Sequence, residues 1–220
     1  MKKLLAMVLA LVMTLSLAVS ANAAFKDDKS ISDDYAESVA VLNGMGVFKG
    51  YEDGSFKPEG NITCAEVATI IYRIYTADVA KNDKSGLYAT YNKFSDMAGA
   101  GWAQGYIGYC AQQNILGGTG HGPFNPEGEL TGLAFAKMLL VALGYDPAIE
   151  QYVGNDWAVN VAADAVDAGI AVSGVIMADA MTREQAAQMA YQTLEADMVR
   201  YASRGTTIQQ PARPTLPVSN

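Results

Sequence analysis

The sequence predicts an all-α protein built from three helix-loop-helix repeats. Phe56-Lys57-Pro58-Glu59-Gly60-Asn61-Ile62-Thr63 and Phe124-Asn125-Pro126-Glu127-Gly128-Glu129-Leu130-Thr131 share Phe, Pro, Glu, Gly and Thr at identical spacing. Behind each of these threonines, and behind Thr182, apolar residues recur at the helical period. Such internal self-similarity marks an architecture whose units complete one another's cores.

Residues 1–23 read as a secretory signal peptide. Lys2 and Lys3 precede an apolar stretch from Leu4 to Met13, and Ala21-Asn22-Ala23 places small residues at −3 and −1 of a cleavage site. The chain of 220 residues carries a formal charge of −8, or −10 once Lys2 and Lys3 leave with the signal. That acidity, without a basic cluster in the mature chain, excludes nucleic acid as the main partner. No membrane contact is expected after signal cleavage.

Repeat 1 with its connector spans 24–90. Its first helix, Asp34–Asn43, carries Tyr35, Ala36, Val39, Ala40 and Leu42 and is stopped by Gly44 and Gly46. A turn at Asp53-Gly54 and the apolar Phe56 and Pro58 lead to a second helix starting at Thr63. Thr63-x-x-Glu66 is a capping box, in which hydroxyl and carboxylate satisfy early backbone N–H groups. Val67, Ile70, Ile71, Ile74 and Tyr75 form its buried stripe.

Repeat 2 spans 91–150. Ile107 and Cys110 fall opposite Val39 and Leu42, and Ile115-Leu116 opposite Val47-Phe48. Phe135, Met138, Leu139, Ala142 and Leu143 supply the second stripe. Repeat 3 spans 151–199. Trp157-Ala158 stands like Trp102-Ala103 and Gly169-Ile170 like Asn114-Ile115; the loop before Thr182 is four residues shorter and lacks Phe-x-Pro. Its stripe is Ala186, Met189, Ala190, Thr193 and Leu194, so six main helices are expected. Asp78–Asn92 and Asp146–Asn155 are polar connectors, and 200–220, with Pro211, Pro214 and Pro217, reads as a flexible, extended tail.

Phe25-Lys26-Asp27 and Phe94-Ser95-Asp96, Trp102-Ala103 and Trp157-Ala158, Gly50-Tyr51-Glu52-Asp53-Gly54-Ser55-Phe56-Lys57-Pro58, and the helix starts at Thr63 and Thr182 together resemble S-layer homology repeats. The resemblance covers Phe25 to Val199. It implies a three-pronged, pseudo-threefold arrangement whose inter-repeat grooves hold secondary cell-wall polysaccharide non-covalently, at the cell wall or surface. The family's ligand residue is the Arg of Thr-Arg-Ala-Glu, suited to a pyruvylated sugar because a guanidinium offers two parallel donors to a carboxylate. Carried over, that position is Cys64, Gly132 and Arg183. The candidate ligand-binding residues are accordingly Arg183 with Thr182, Trp157, Trp102, Gly50, Tyr51 and Asp53.

Other chemistry finds little support. His121 is the single histidine and has no ligand-spaced acidic partner, so no metal site or cofactor is expected. Cys64 and Cys110 read as reduced thiols, with Cys110 in an apolar slot. No carboxylate pair forms an acid/base constellation, so the chain is expected to be a binding module and not an enzyme. The alternative is a structural envelope protein whose degenerate grooves bind other envelope proteins.

Overall fold

The computed structural model describes residues 25–77, 83–116, 123–203 and 206–209. His121 and the signal segment lie outside them. Six α-helices are present among the described residues: α1 (Asp33–Gly44), α2 (Cys64–Thr76), α3 (Gln104–Gln112), α4 (Gly132–Ala142), α5 (Trp157–Asp167) and α6 (Arg183–Thr193). The expected stripes are largely buried, with Val39, Leu42, Ile70, Ile74, Phe135, Leu139, Ala186 and Met189 all inside. Ala36 faces solvent instead, and Ser38 takes an inward place on α1, its hydroxyl donating to the Tyr35 carbonyl at 2.8 Å.

The helices pair across repeats and not within them. The second helix of one repeat packs on the first helix of the next, giving α2 with α3, α4 with α5, and α6 with α1. The last pair closes the chain on itself. The Ser32 amide and hydroxyl both donate to the Glu184 carboxylate at 2.9 Å, tying the start of α1 to the first turn of α6. Three two-helix prongs result, in the pseudo-threefold arrangement that the resemblance implied.

At the hub, the segments ahead of α2, α4 and α6 form a closed ring of backbone hydrogen bonds. Ile62 N–H donates to Met181 C=O (2.9 Å), Leu130 N–H to Ile62 C=O (3.0 Å), and Met181 N–H to Leu130 C=O (2.9 Å). Ile62 and Met181 are buried there. Extended backbone in the middle of a helical protein needs partners for its amides, and each repeat supplies them to its neighbour.

Two connectors are more ordered than their polarity suggests. Ser85–Tyr91 forms a 3-10 helix lying on α3. The approach is close because Gly105 and Gly108 lack side chains: a Cβ at Gly108 would come within 2.0 Å of the Tyr88 carbonyl oxygen. Tyr72, Tyr88, Tyr106 and Tyr109 meet edge to face over this contact, and the Tyr106 hydroxyl donates to Asp83. The start of the segment read as an extended tail is a two-stranded antiparallel hairpin, β1 (Val199–Ser203) with β2 (Thr206–Gln209). It is anchored by Val199 N–H on Leu143 C=O (2.8 Å) and by the Tyr201 hydroxyl on Glu150 (2.6 Å).

Candidate functional site: three unequal grooves

An α-helix begins with N–H groups that have no partner within the helix. In α2, α4 and α6 they are satisfied by two sources. The Thr63, Thr131 and Thr182 hydroxyls accept from Glu66, Ala134 and Gln185 N–H at 3.2–3.3 Å. The two N–H groups before those donate to the loop of a neighbouring repeat. Cys64 and Ala65 reach Gly128 and Pro126; Gly132 and Leu133 reach Asp179 and Met177; Arg183 and Glu184 reach Gly60 and Pro58. Each loop therefore lies against the helix start of the preceding unit in the ring, and a groove is defined three times over. These N–H groups are thus already bonded within the chain.

The loops of repeats 1 and 2 share one internal clamp, which explains the Phe-x-Asp pattern. Asp27 accepts from Phe56 N–H (2.7 Å) and Lys57 N–H (2.8 Å), while Asp96 accepts from Phe124 N–H (2.9 Å) and Asn125 N–H (2.6 Å). Lys57 and Asn125 both have φ 56°, a costly left-handed backbone that the two-point clamp holds in place. The amide bonds from Phe124 and Asn125 hold the Asp96 carboxyl below its usual value. At Asp27 burial pushes upward, but the bonds from Phe56 and Lys57 outweigh it.

The groove between repeats 3 and 1 is filled by Arg183. Its side chain is 5% exposed, and Nη1 lies 2.8 Å from Glu66 Oε1. Nε donates to Phe56 C=O at 2.8 Å and Nη2 to Lys49 C=O at 3.4 Å. The guanidinium lies 4.6 Å from the Tyr51 ring centroid and 5.1 Å from that of Phe56. Tyr51 also donates to Glu66 Oε1 at 2.8 Å; burial first, and Glu66 after it, push the phenol up to about 12 against the opposing pull of Arg183. Glu66 thus caps α2, through Oε2 to Thr63 N–H at 3.0 Å, and pairs with the motif arginine.

Among the described residues, the groove between repeats 1 and 2 is open. There Cys64 stands where the other has Arg183, Ala134 where it has Glu66, and Leu116 where it has the buried Phe48 ring. The shorter side chains leave a cavity of about 560 Å³. Stacked Phe94 and Phe124, with centroids 5.0 Å apart, form one wall, and Trp157 and Tyr152 contribute to another. Lys137 projects from α4, its Nζ donating to Tyr152 C=O at 2.7 Å and lying 5.4 Å from the Trp157 ring centroid. Burial lowers this ammonium's pKa from the ordinary lysine value and raises that of the Cys64 thiol.

The groove between repeats 2 and 3 is shut. A Cβ at Gly132 would meet Met181 Cε at 3.0 Å and Met177 Cα at 3.1 Å, so the shortened loop of repeat 3 sits directly on the helix start.

The residues singled out from the sequence are thereby divided. Arg183 and Tyr51 meet at the filled groove; Gly50 lies against the Phe25 ring and the Ser55 carbonyl, and Asp53 is turned into its own loop to accept from the Ser55 amide at 2.9 Å. Thr182 caps α6. The arginine meets carbonyl oxygens and a carboxylate, and Trp157 belongs to the other, open groove. Trp102, 55% exposed, stands edge-on to Tyr106 at 6.5 Å. Cys64 and Cys110 are free thiols, and Cys110 is buried with its sulfur 3.6 Å from Ala68 C=O. Lys137 and Tyr152 were missed. A signal for the lysine existed, since it is the sole charged residue in Gly132–Ala142.

Residues 24–68 and 93–136 match the family model of the S-layer homology domain. Two segments of the chain are thus similar to the S-layer homology domain. The third unit lies outside both matches but takes the third place in the hydrogen-bonded ring. The chain is 26% identical over 213 residues to the "Middle cell wall protein" of Brevibacillus brevis, covering 95% of this chain and 20% of that relative. It is 37% identical over 103 residues to the "Cellulosome-anchoring protein" of Acetivibrio thermocellus, covering 47% of this chain and 22% of the relative. With the "Cell surface protein" of Thermoanaerobacter kivui the identity is 28% over 219 residues, 96% of this chain and 27% of the relative. The chain therefore spans between 20% and 27% of the length of these three proteins.

Proposed function

We propose that this S-layer homology protein is a non-catalytic module that holds to the cell wall by binding wall polysaccharide, pyruvylated polymers included, in the groove between repeats 1 and 2. The observation that carries this reading is the contrast among three equivalent places: one is filled by Arg183 and Glu66, one is shut on Gly132, and one is a cavity with aromatic walls and a cation. Concave, mostly apolar pockets with a few fixed polar groups are where small ligands and sugar rings bind. The names of the relatives, a cell wall protein, an anchoring protein and a cell surface protein, agree with a location at the wall or surface. No helix among the described residues is long and apolar enough to cross a membrane.

Retention of the protein on purified wall sacculi, before and after chemical removal of the non-peptidoglycan polymer, tests the reading. Binding is expected to disappear with the polymer; undiminished retention on stripped walls would overturn it. A protein partner in the envelope is the second reading, favoured by the occupation of two of the three grooves by the chain's own atoms. Release from intact walls by protease treatment of the walls alone would support that alternative.

A further inference from the structure

We propose that Lys137 is the specificity-determining residue of the open groove, selecting an acidic group on the bound saccharide. This rests on the groove reading above and adds to it the residue that recognises the acidic group.

The argument starts from an imbalance. Arg183 is a half of a pair: its charge is met by Glu66 and its other donors by two backbone carbonyls. Lys137 has one described acceptor, the Tyr152 carbonyl, and among the described residues no carboxylate pairs with it. An ammonium has three donors, so two have no acceptor among the described residues and can meet a ligand. Removing a charge from water without an opposite charge is unfavourable, and an anion entering the cavity would relieve that cost. The surroundings make the position specific. Trp157 flanks the ammonium, the Phe94–Phe124 wall is apolar, and neither Cys64 nor Ala134 offers a competing charge. A neutral sugar would leave the lysine uncompensated, whereas a carboxylate or phosphate on the sugar would pair with it in a partly dry setting, where such a contact is strong. The anchor comes from the sixth residue of α4, the position that Thr69 holds in α2, and not from the first residue of a helix, where the family motif has its arginine.

The experiment compares wild type, K137Q, K137R and the groove-filling A134W for retention on intact wall sacculi across a salt series, with thermal unfolding of each to confirm folding. Wild-type retention is expected to fall with salt. K137Q is expected to lose retention about tenfold and to lose most of the salt dependence, K137R to keep both, and A134W to lose retention outright. Amidation of the wall carboxylates separates the two anion sources: abolished retention assigns a carboxylate, and unchanged, lysine-dependent retention assigns a phosphate. If K137Q matches wild type in strength and salt slope while A134W is released, the groove stands and the role of Lys137 is overturned. If A134W binds like wild type, the groove reading itself fails.

Discussion

The groove that holds Arg183 and the groove that has Cys64 in its place share their clamp and helix-start hydrogen bonds and have opposite interiors. In both, an aspartate clamps two consecutive amides of a Phe-x-Pro loop, and two helix-start N–H groups bond that loop's carbonyls. Among the described residues, what differs is a handful of side chains. Arg183, Glu66 and Phe48 fill one groove; Cys64, Ala134 and Leu116 leave the other hollow. A motif residue placed where a ligand is expected can be consumed by the fold when a neighbouring repeat offers it a carboxylate. With Cys64 at the same position, a cavity is left instead.

The strongest way to break the contrast is to write one groove into the other. C64R combined with A134E puts an arginine and a glutamate at the open groove's counterparts of Arg183 and Glu66. Wall retention is expected to fall to background, as measured on sacculi, while the circular dichroism spectrum stays helical. Retention equal to wild type would show that the cavity is not the binding place.

Next in size is removal of the filled groove's pair. R183M leaves the Glu66 carboxylate and the Phe56 and Lys49 carbonyls without their partner, and loss of one half of a buried pair costs about 3–5 kcal/mol. A large drop in melting temperature is expected, with wall retention unchanged while the protein is folded. Intact stability with lost retention would return the arginine to a ligand role.

The shut groove gives a smaller effect. G132A forces a methyl against Met181 and the Met177 backbone and is expected to destabilise by about 1–3 kcal/mol in chemical denaturation. An unchanged midpoint would mean that the repeat 3 loop moves aside freely.

Smallest is the pH response of the shared clamps. The Asp27 and Asp96 carboxyls are held below their ordinary value of 3.8 in the folded protein. A lowered folded-state pKa contributes stability above the unfolded value and loses it as pH falls through the folded one. Stability is therefore expected to decline with acid from about pH 4 downward, with D27N and D96N each showing a shallower decline in thermal melts. Equal slopes in wild type and both variants would count against the clamps as the acid-sensitive element.

Much of the fold is legible in the sequence because its determinants are local. Thr63, Thr131 and Thr182 bond amides three residues on, and the apolar stripes follow the period of a single helix. The open groove is less legible. Lys137 stands out only as a lone charge in an apolar helix, and Tyr152 reads as part of a polar connector although it is fully buried, with its hydroxyl on Asp164 at 2.7 Å. Gly105 and Gly108 weaken a helix by propensity, and it is the backbone of 85–91 lying on them that requires them.

The sequence by itself determined the three units, their helix starts and the Phe-x-Asp loops, since each depends on groups within about 30 residues of one another. Only the tertiary structure decided which groove each helix start faces. Arg183 meets Phe56 across 127 residues of chain and Glu66 across 117, contacts that exist because the hydrogen-bonded ring sets each repeat's helix against its neighbour's loop. Where a side chain's partners come from another repeat, the residue's own motif names the position and the neighbour decides its use.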